Sequence, residues 1–158
     1  MIIEYYHASK YGNGATVAAE FAADMAAKGA TVHVHHVKDA RPDRIPAADL
    51  YAFSSPTHMG RPRGAMRRFL KKAVLPTGAR YALVATAMAP QPDAKTGIVP
   101  ALTDVERWRR TIPVMEELLL AKGLVKVADT TVQVVASEGP LEDGWQSKVG
   151  ALADAIQG

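Results

Sequence analysis

The chain contains five short apolar segments. Most of the stretches between them have apolar residues at the spacing of an amphipathic helix. The segments cover residues 2–6, 30–37, 49–55, 80–88 and 124–135. The fourth, RYALVATAM, is almost uninterrupted, which is typical of a strand covered on both faces. Strands that alternate with helices are joined by right-handed crossovers into a parallel sheet between two helical layers. The pattern therefore predicts one three-layer, doubly wound, five-stranded α/β domain over residues 1–158.

Apolar residues three and four positions apart predict a helix after every strand except the second. The predicted helices cover residues 15–28, 65–74, 103–119 and 141–157. Gly29 suits the left-handed position that follows a helix. The connection at 38–48 contains two prolines and is too broken for more than one helical turn. In the third helix Trp108 belongs to the apolar stripe, and Pro113 predicts a kink or a break.

The composition is that of a globular protein. Hydrophobic residues make up 48% and charged residues 22% of the chain. No apolar run approaches the 18 residues of a membrane span, and no cationic stretch precedes the first strand, which argues against a signal peptide. The absence of cysteine excludes disulfides and thiolate metal sites and fits a cytoplasmic protein. A formal charge of +3 is too small for a dedicated nucleic-acid binder, and it favours an acidic partner or substrate.

Ligands of doubly wound sheets lie beyond the carboxyl ends of the strands. This rule selects the loops at 7–14, 54–62 and 87–101. In the first loop, HASKYGNG, a helix that starts near Ala15 presents free N–H groups and the positive end of its dipole. Ser9, Asn13 and Thr16 add short polar side chains. The loop is therefore either a cradle for an anion such as phosphate, or a glycine-rich turn with Ser9 or Thr16 as a helix cap.

Four other kinds of site fit the sequence less well. The loop lacks the Gly-Lys-Ser/Thr of a P-loop, and a dinucleotide fingerprint would have Val17 in place of its third glycine, although Asp39 could serve the ribose. A receiver domain requires an Asp at the end of the third strand, which here reads Phe53-Ser54-Ser55. A serine hydrolase requires G-x-S-x-G, which does not occur.

The stretch YYHASKYGNGATVAAEFA resembles the phosphate loop of flavodoxins and flavodoxin-domain oxidoreductases. The resemblance implies a flavodoxin-like fold, the strand order 2-1-3-4-5 and FMN as the cofactor. It assigns the FMN phosphate to Ser9, Lys10, Tyr11, Gly12, Asn13, Gly14, Ala15 and Thr16. Gly14 stands where the family has its final Thr, so one hydroxyl is missing unless Thr16 replaces it.

Two further stretches carry the resemblance to the flavin ring. The sequence AFSSPTHMGRPRGAMRRFL is similar to the family's loop after the third strand, and YALVATAM corresponds to the family's fourth strand by position. The ring contacts implied are Ser55, Pro56, Thr57, His58, Met59 and Gly60 on one side, and Thr86, Ala87, Met88 and Ala89 on the other. No catalytic residue and no metal ligand are assigned.

The chain departs from a typical flavodoxin in its aromatic residues and its charge. His58 is the only ring between 54 and 62, and there is none between 87 and 101, so we expect weaker stacking on the flavin. Arg61, Arg63, Arg67, Arg68, Lys71 and Lys72 form either a solvated helix face or a positive rim for an acidic substrate or partner. Such a rim would favour anionic reduced FMN and make the flavin potential less negative.

The histidines of HVHH allow a second hypothesis about a metal. His33 and His35 share one face of a strand and could bind one ion, but no carboxylate is fixed beside them in the sequence, and an edge-strand surface accounts for them better. His7, beside the phosphate loop, and His58, beside the flavin, are the histidines to test.

These observations lead to two expectations for function. The first is an FMN-dependent redox protein, either an electron carrier with an external redox partner or an oxidoreductase for a small quinone- or porphyrinogen-type substrate. The second is a flavodoxin-fold binding module that has lost FMN, prompted by Gly14 and the missing aromatic residues.

Overall fold

The structure is a computed structural model that describes residues 1–136 and 138–157. The strands are β1 (Ile2–His7), β2 (Thr31–His36), β3 (Leu50–His58), β4 (Arg61–Pro62), β5 (Arg80–Met88) and β6 (Val125–Val134). The α-helices are α1 (Asn13–Ala27), α2 (Gly64–Lys72), α3 (Leu102–Trp108), α4 (Thr111–Leu120) and α5 (Trp145–Gln157), and a 3₁₀ turn covers Val37–Asp39. None of the helices in the described part of the chain is long and apolar enough to cross a bilayer.

The five long strands form a parallel sheet in the order β2-β1-β3-β5-β6. Apart from the additional strand β4, this is the predicted order, with β2 at one edge. The loop predicted at 54–62 is only partly a loop, because β3 continues to His58 and pairs antiparallel with β4. The turn between them has Met59 and Gly60 with φ of 50° and 76°, a left-handed pair that reverses the chain.

A hydrophobic layer lies on each face of the sheet. Helices α1 and α5 cover one face with Phe21, Met25 and Leu152, and helices α2 and α4 cover the other with side chains that include Phe69 and Met115. Strand β5 is buried on both faces from residue 81 to residue 87, as its continuous apolar sequence predicts. The two layers fix the strand ends, and thereby the loops that follow them.

Two helix predictions need correction. The third helix does break, but at Arg109 and Arg110, and Pro113 is the third residue of α4, where its missing N–H leaves no helical bond unmade. The last helix begins at residue 145 rather than 141. Leu141 instead forms a bridge with the end of β6, and the Glu142 N–H donates to the carbonyl of Gln133 at 2.9 Å.

Candidate functional site

The loop after β1 is held in place by bonds centred on Ser9. The Ser9 N–H donates to Nδ1 of His7 at 3.2 Å, and the Gly12 N–H donates to the Ser9 hydroxyl oxygen at 3.0 Å. Nε2 of His36 contacts the Ser9 carbonyl at 2.8 Å. The loop is therefore held in a defined shape by hydrogen bonds to His36 of the edge strand β2 and to His7 at the end of β1.

Of the two histidines that hold the loop, His7 is neutral around pH 7. His36 donates from Nε2 to the Ser9 carbonyl and accepts at Nδ1 from the Lys38 N–H at 3.1 Å. His7 is buried, and this burial, together with the nearby His36 and Lys38, lowers its pKa from 6.5 to about 4. The positive end that the loop offers an anion therefore comes from its backbone N–H groups and from Lys10, not from His7.

The start of α1 carries a cluster of unpaired amides. Gly12 is the N-cap with φ of 95°, and no side chain caps the helix. The Thr16 N–H donates to the Gly12 carbonyl at 2.9 Å. Among residues 1–136 and 138–157, no acceptor receives a hydrogen bond from the N–H groups of Lys10, Tyr11, Asn13, Gly14 and Ala15. An oxyanion bound there would satisfy these donors and face the positive end of the helix dipole.

Gly14 has a steric role that the sequence did not reveal. A Cβ at this position would lie 3.2 Å from Cβ of Ser9, closer than side chains normally approach. Glycine therefore lets the helix start pack directly against the residue that shapes the loop. The hydroxyl of Thr16 does not replace a missing threonine, because it is exposed and donates to the Gly12 carbonyl at 3.0 Å.

The hairpin formed by β3 and β4 is fixed by two hydroxyl groups. The Ser55 hydroxyl donates to the Pro56 carbonyl at 2.9 Å and accepts from the Arg63 N–H at 3.0 Å. The Thr57 and Thr111 hydroxyl oxygens are 2.7 Å apart, which ties the hairpin to α4. These bonds hold the turn at residues 59–60 beside the ends of the parallel strands.

The strand ends enclose a cavity of about 370 Å³, within the size range of small-molecule sites. The predicted residues that line it are Ser9, Lys10, Tyr11, Asn13, Gly14, Pro56, Thr57, His58, Met59, Thr86, Ala87 and Met88. The structure adds Arg63, Val134 and Ala136. Of the remaining predicted residues, Gly12, Ala15, Thr16 and Ser55 do not line the cavity, and Gly60 and Ala89 line an adjoining one.

The adjoining cavity contains a residue whose prediction was wrong. Trp108, predicted to lie on the apolar face of a helix, is 65% exposed because the helix breaks directly after it. Its carbonyl and ring edge pack against Gly60, where a Cβ would lie 3.2 Å and 3.3 Å from them. The nearest sequence signal is an aromatic residue followed by two arginines, which gives no indication of this contact.

Two cations, Lys10 and Arg63, line the first cavity, and the chain segment around Arg63 is basic. Residues 50–92 include seven Lys and Arg residues and no Asp or Glu. In the described chain, none of the cations on β4 and α2 forms a salt bridge. Arg63 lines the cavity itself, so a ligand there meets a positive potential.

The two histidines of β2 do have a carboxylate beside them, contrary to the sequence interpretation. Glu4 is only 3% exposed, and its two oxygens lie 3.0 Å from His33 Nδ1 and 2.7 Å from His35 Nε2. The parallel register of β1 and β2 places them together. Within the described ranges, no group of three or more His, Cys, Asp or Glu is arranged to hold a metal. The two imidazoles give the buried Glu4 carboxyl group its hydrogen-bond partners at the sheet edge.

The chain matches no protein-family model and no curated protein. Solved structures do match it. The oxidised flavodoxin 2 of Bacillus cereus has a TM-score of 0.77 and 16% identity, over 99% of this chain and 98% of its own. The flavodoxin of Streptococcus pneumoniae TIGR4 has a TM-score of 0.74 and 14% identity, over 99% and 98%.

A longer protein contains the same architecture. The rubredoxin oxygen:oxidoreductase of Desulfovibrio gigas matches with a TM-score of 0.66 and 16% identity, over 98% of this chain and 34% of its own length. At such identities the likeness establishes the fold, and this chain has a flavodoxin-like fold.

Proposed function

We propose that this chain binds FMN and acts as a redox protein, with the FMN phosphate held by the loop after β1 and the ring in the cavity at the strand ends. The observation that carries the proposal is the cluster of amides without acceptors at the start of α1. With the exception of Ala15, the residues that supply these amides also line the cavity. A group with an anionic end and a flat apolar end fits this combination.

The residues of the chain divide the binding between them. Backbone N–H groups of the Ser9 loop would hold the phosphate, and Gly14 keeps that loop close to the helix. The hairpin presents Thr57, His58 and Met59 to one side of the ring, and β5 presents Thr86 to the other. When bound, FMN supplies one- and two-electron transfer, while the protein supplies position and electrostatics.

The charge around the cavity supports an acidic partner or substrate. A basic rim attracts an acidic redox protein or an anionic small molecule and repels a basic one. It also stabilises a reduced flavin that carries negative charge, so we expect a less negative potential than an acidic protein of this fold would give. Redox titration of the FMN-loaded protein tests this expectation.

Two roles fit the proposed site, and one assay separates them. An electron carrier exchanges electrons only with another redox protein, whereas an oxidoreductase for quinone- or porphyrinogen-type substrates turns over a small molecule. The adjoining cavity favours the second role, because a carrier needs no second pocket. Turnover of NAD(P)H with a soluble quinone would support the oxidoreductase, and inertness in that assay would favour the carrier.

The proposal is tested by adding FMN and riboflavin separately to the purified protein while flavin fluorescence is recorded. We expect FMN to bind with micromolar affinity or better. Riboflavin, which lacks the phosphate, should bind at least tenfold more weakly, because stacking in this cavity is modest and the phosphate contacts carry most of the affinity. No binding of either flavin, or equal binding of both, would overturn the proposal and leave a binding module without FMN.

A further inference from the structure

A second cavity adjoins the proposed flavin site. It has a volume of about 460 Å³ and lies between the segment after β5 and helix α3. Three residues, Thr57, Met59 and Met88, line both cavities. A ligand in the second cavity would therefore lie beside the proposed flavin position rather than at a remote surface.

The walls of this cavity are mostly apolar and exposed. Trp108 is 65% and Met59 is 80% exposed, although side chains of this type are usually covered. Pro90, Pro100 and Val105 complete the apolar lining. Contiguous exposed apolar surface that forms a concave wall is a common sign of a ligand site. The indole of Trp108 also provides a flat surface, which favours a flat ligand.

One cation of the wall, Arg109, forms no salt bridge in the described part of the chain. Arg109 is half-buried, and its Nη2 donates to the carbonyl of Met88. Its Nη1 is buried and has no acceptor within the described part of the chain, where no carboxylate lies within 4.0 Å of the guanidinium. Asp104 also lines the cavity, but its carboxylate faces Arg107 at 3.6 Å.

This arrangement leaves a charge for a ligand to compensate. Removing a cation from water is costly unless an anion or several acceptors replace the water, and Arg109 has one carbonyl. This desolvation lowers the pKa of Arg109, and the nearby charge of Glu106 offsets the effect only in part. A planar guanidinium matches the planar, two-oxygen geometry of a carboxylate.

We propose that the second cavity binds a flat, apolar molecule that carries a carboxylate, with Trp108 contacting the flat part and Arg109 compensating the charge. The inference deepens the proposed function, because it names the class of small molecule that the FMN site would serve. It depends on the proposed function only for the role of the ligand. The binding itself can be measured with or without FMN.

The test uses two probes that differ in charge, 2-naphthoate and the neutral 2-naphthamide. Their affinities are measured by calorimetry on the full chain, first alone and then with saturating FMN. We expect naphthoate to bind at least tenfold more tightly than naphthamide. Arg109→Gln should abolish this preference while the affinity for naphthamide stays within about twofold. Trp108→Leu should weaken both probes about equally.

A matched control and a conservative variant keep the test decisive. Arg110→Gln removes the neighbouring positive charge, which faces Glu117 at 3.6 Å, and should preserve the preference for naphthoate. Arg109→Lys retains the charge and should retain part of the preference. Equal binding of the two probes to the unaltered protein, or the same preference after Arg109→Gln, would overturn the inference.

The two proposals fail in different ways. FMN affinity should change by less than about threefold in the Arg109 variants, because Arg109 does not line the first cavity and reaches it only through the carbonyl of Met88. A protein that binds naphthoate through Arg109 but does not bind FMN would refute the proposed function and support the second cavity. A protein that binds FMN but shows no preference for naphthoate would refute the second cavity alone.

Discussion

Replacing Gly14 with alanine tests the role of close packing at the phosphate loop. In an open helix position, Gly→Ala stabilises a protein by up to about 1 kcal/mol. At residue 14 the new Cβ would lie 3.2 Å from Cβ of Ser9, so Ser9 must move by a few tenths of an ångström. Ser9 accepts hydrogen bonds from Gly12 and His36, and weakening one of them costs about 1 kcal/mol. The gain and the loss should roughly cancel.

Gly150→Ala provides a matched control. This glycine lies within α5, and a Cβ at this position would lie 4.0 Å from its nearest neighbour, Oδ2 of Asp24, so the full helix gain is expected. Urea denaturation should therefore find Gly14→Ala less stable than Gly150→Ala by about 1 kcal/mol. FMN affinity should fall about tenfold in the first variant only. Equal stabilisation by both changes, with unchanged FMN affinity, would refute the reasoning.

Three further predictions follow from the charges and bonds around the site. Because His7 has a folded pKa of about 4 and an ordinary value of 6.5, its contribution to stability is complete above pH 6.5 and is lost as the pH falls to 4. Denaturant titrations should show that the free energy of unfolding falls by up to about 3 kcal/mol over this range, at ~1.4 kcal/mol per pKa unit. In the His7→Gln variant this pH-dependent loss of stability should be smaller. His36→Phe should lower the free energy of unfolding by about 1–3 kcal/mol, because the carbonyl of Ser9 loses its hydrogen-bond donor. The same variant should weaken the binding of FMN more than the binding of riboflavin. Arg63→Gln should make the potential of the second flavin reduction more negative by roughly 20–40 mV in a redox titration, whereas Arg80→Gln, at the opposite end of the strands, should not.

The fold could be predicted because its signals are local. Each long strand and helix has its own apolar pattern, and the continuous apolar run of β5 identifies a central strand without knowledge of its neighbours. The glycines of the first loop and the residues of the second fall after strand ends, and strand ends of a parallel sheet meet at one edge. The same reasoning predicts that these loops lie close together, but it does not predict the hydrogen bonds within them.

The features that were missed depend on contacts between distant parts of the chain. The helical spacing of Trp108 predicts a position on a core face, but its exposure depends on the break after α3 and on Gly60, 48 positions earlier. Glu4 faces His33 only through the register of β1 and β2. The hairpin after β3 depends on Thr57 and on two consecutive left-handed residues, one of them a methionine that rarely adopts that conformation.

Backbone amide NMR shifts, recorded while FMN is added, test the central claim most directly. The amides of Lys10, Tyr11, Asn13, Gly14 and Ala15 should move downfield as a phosphate accepts their hydrogen bonds. Added riboflavin should move amides of the hairpin and of the end of β5 but leave those five nearly unchanged. Five amides that stay in place while FMN binds elsewhere would contradict the account, as would identical shifts with both flavins.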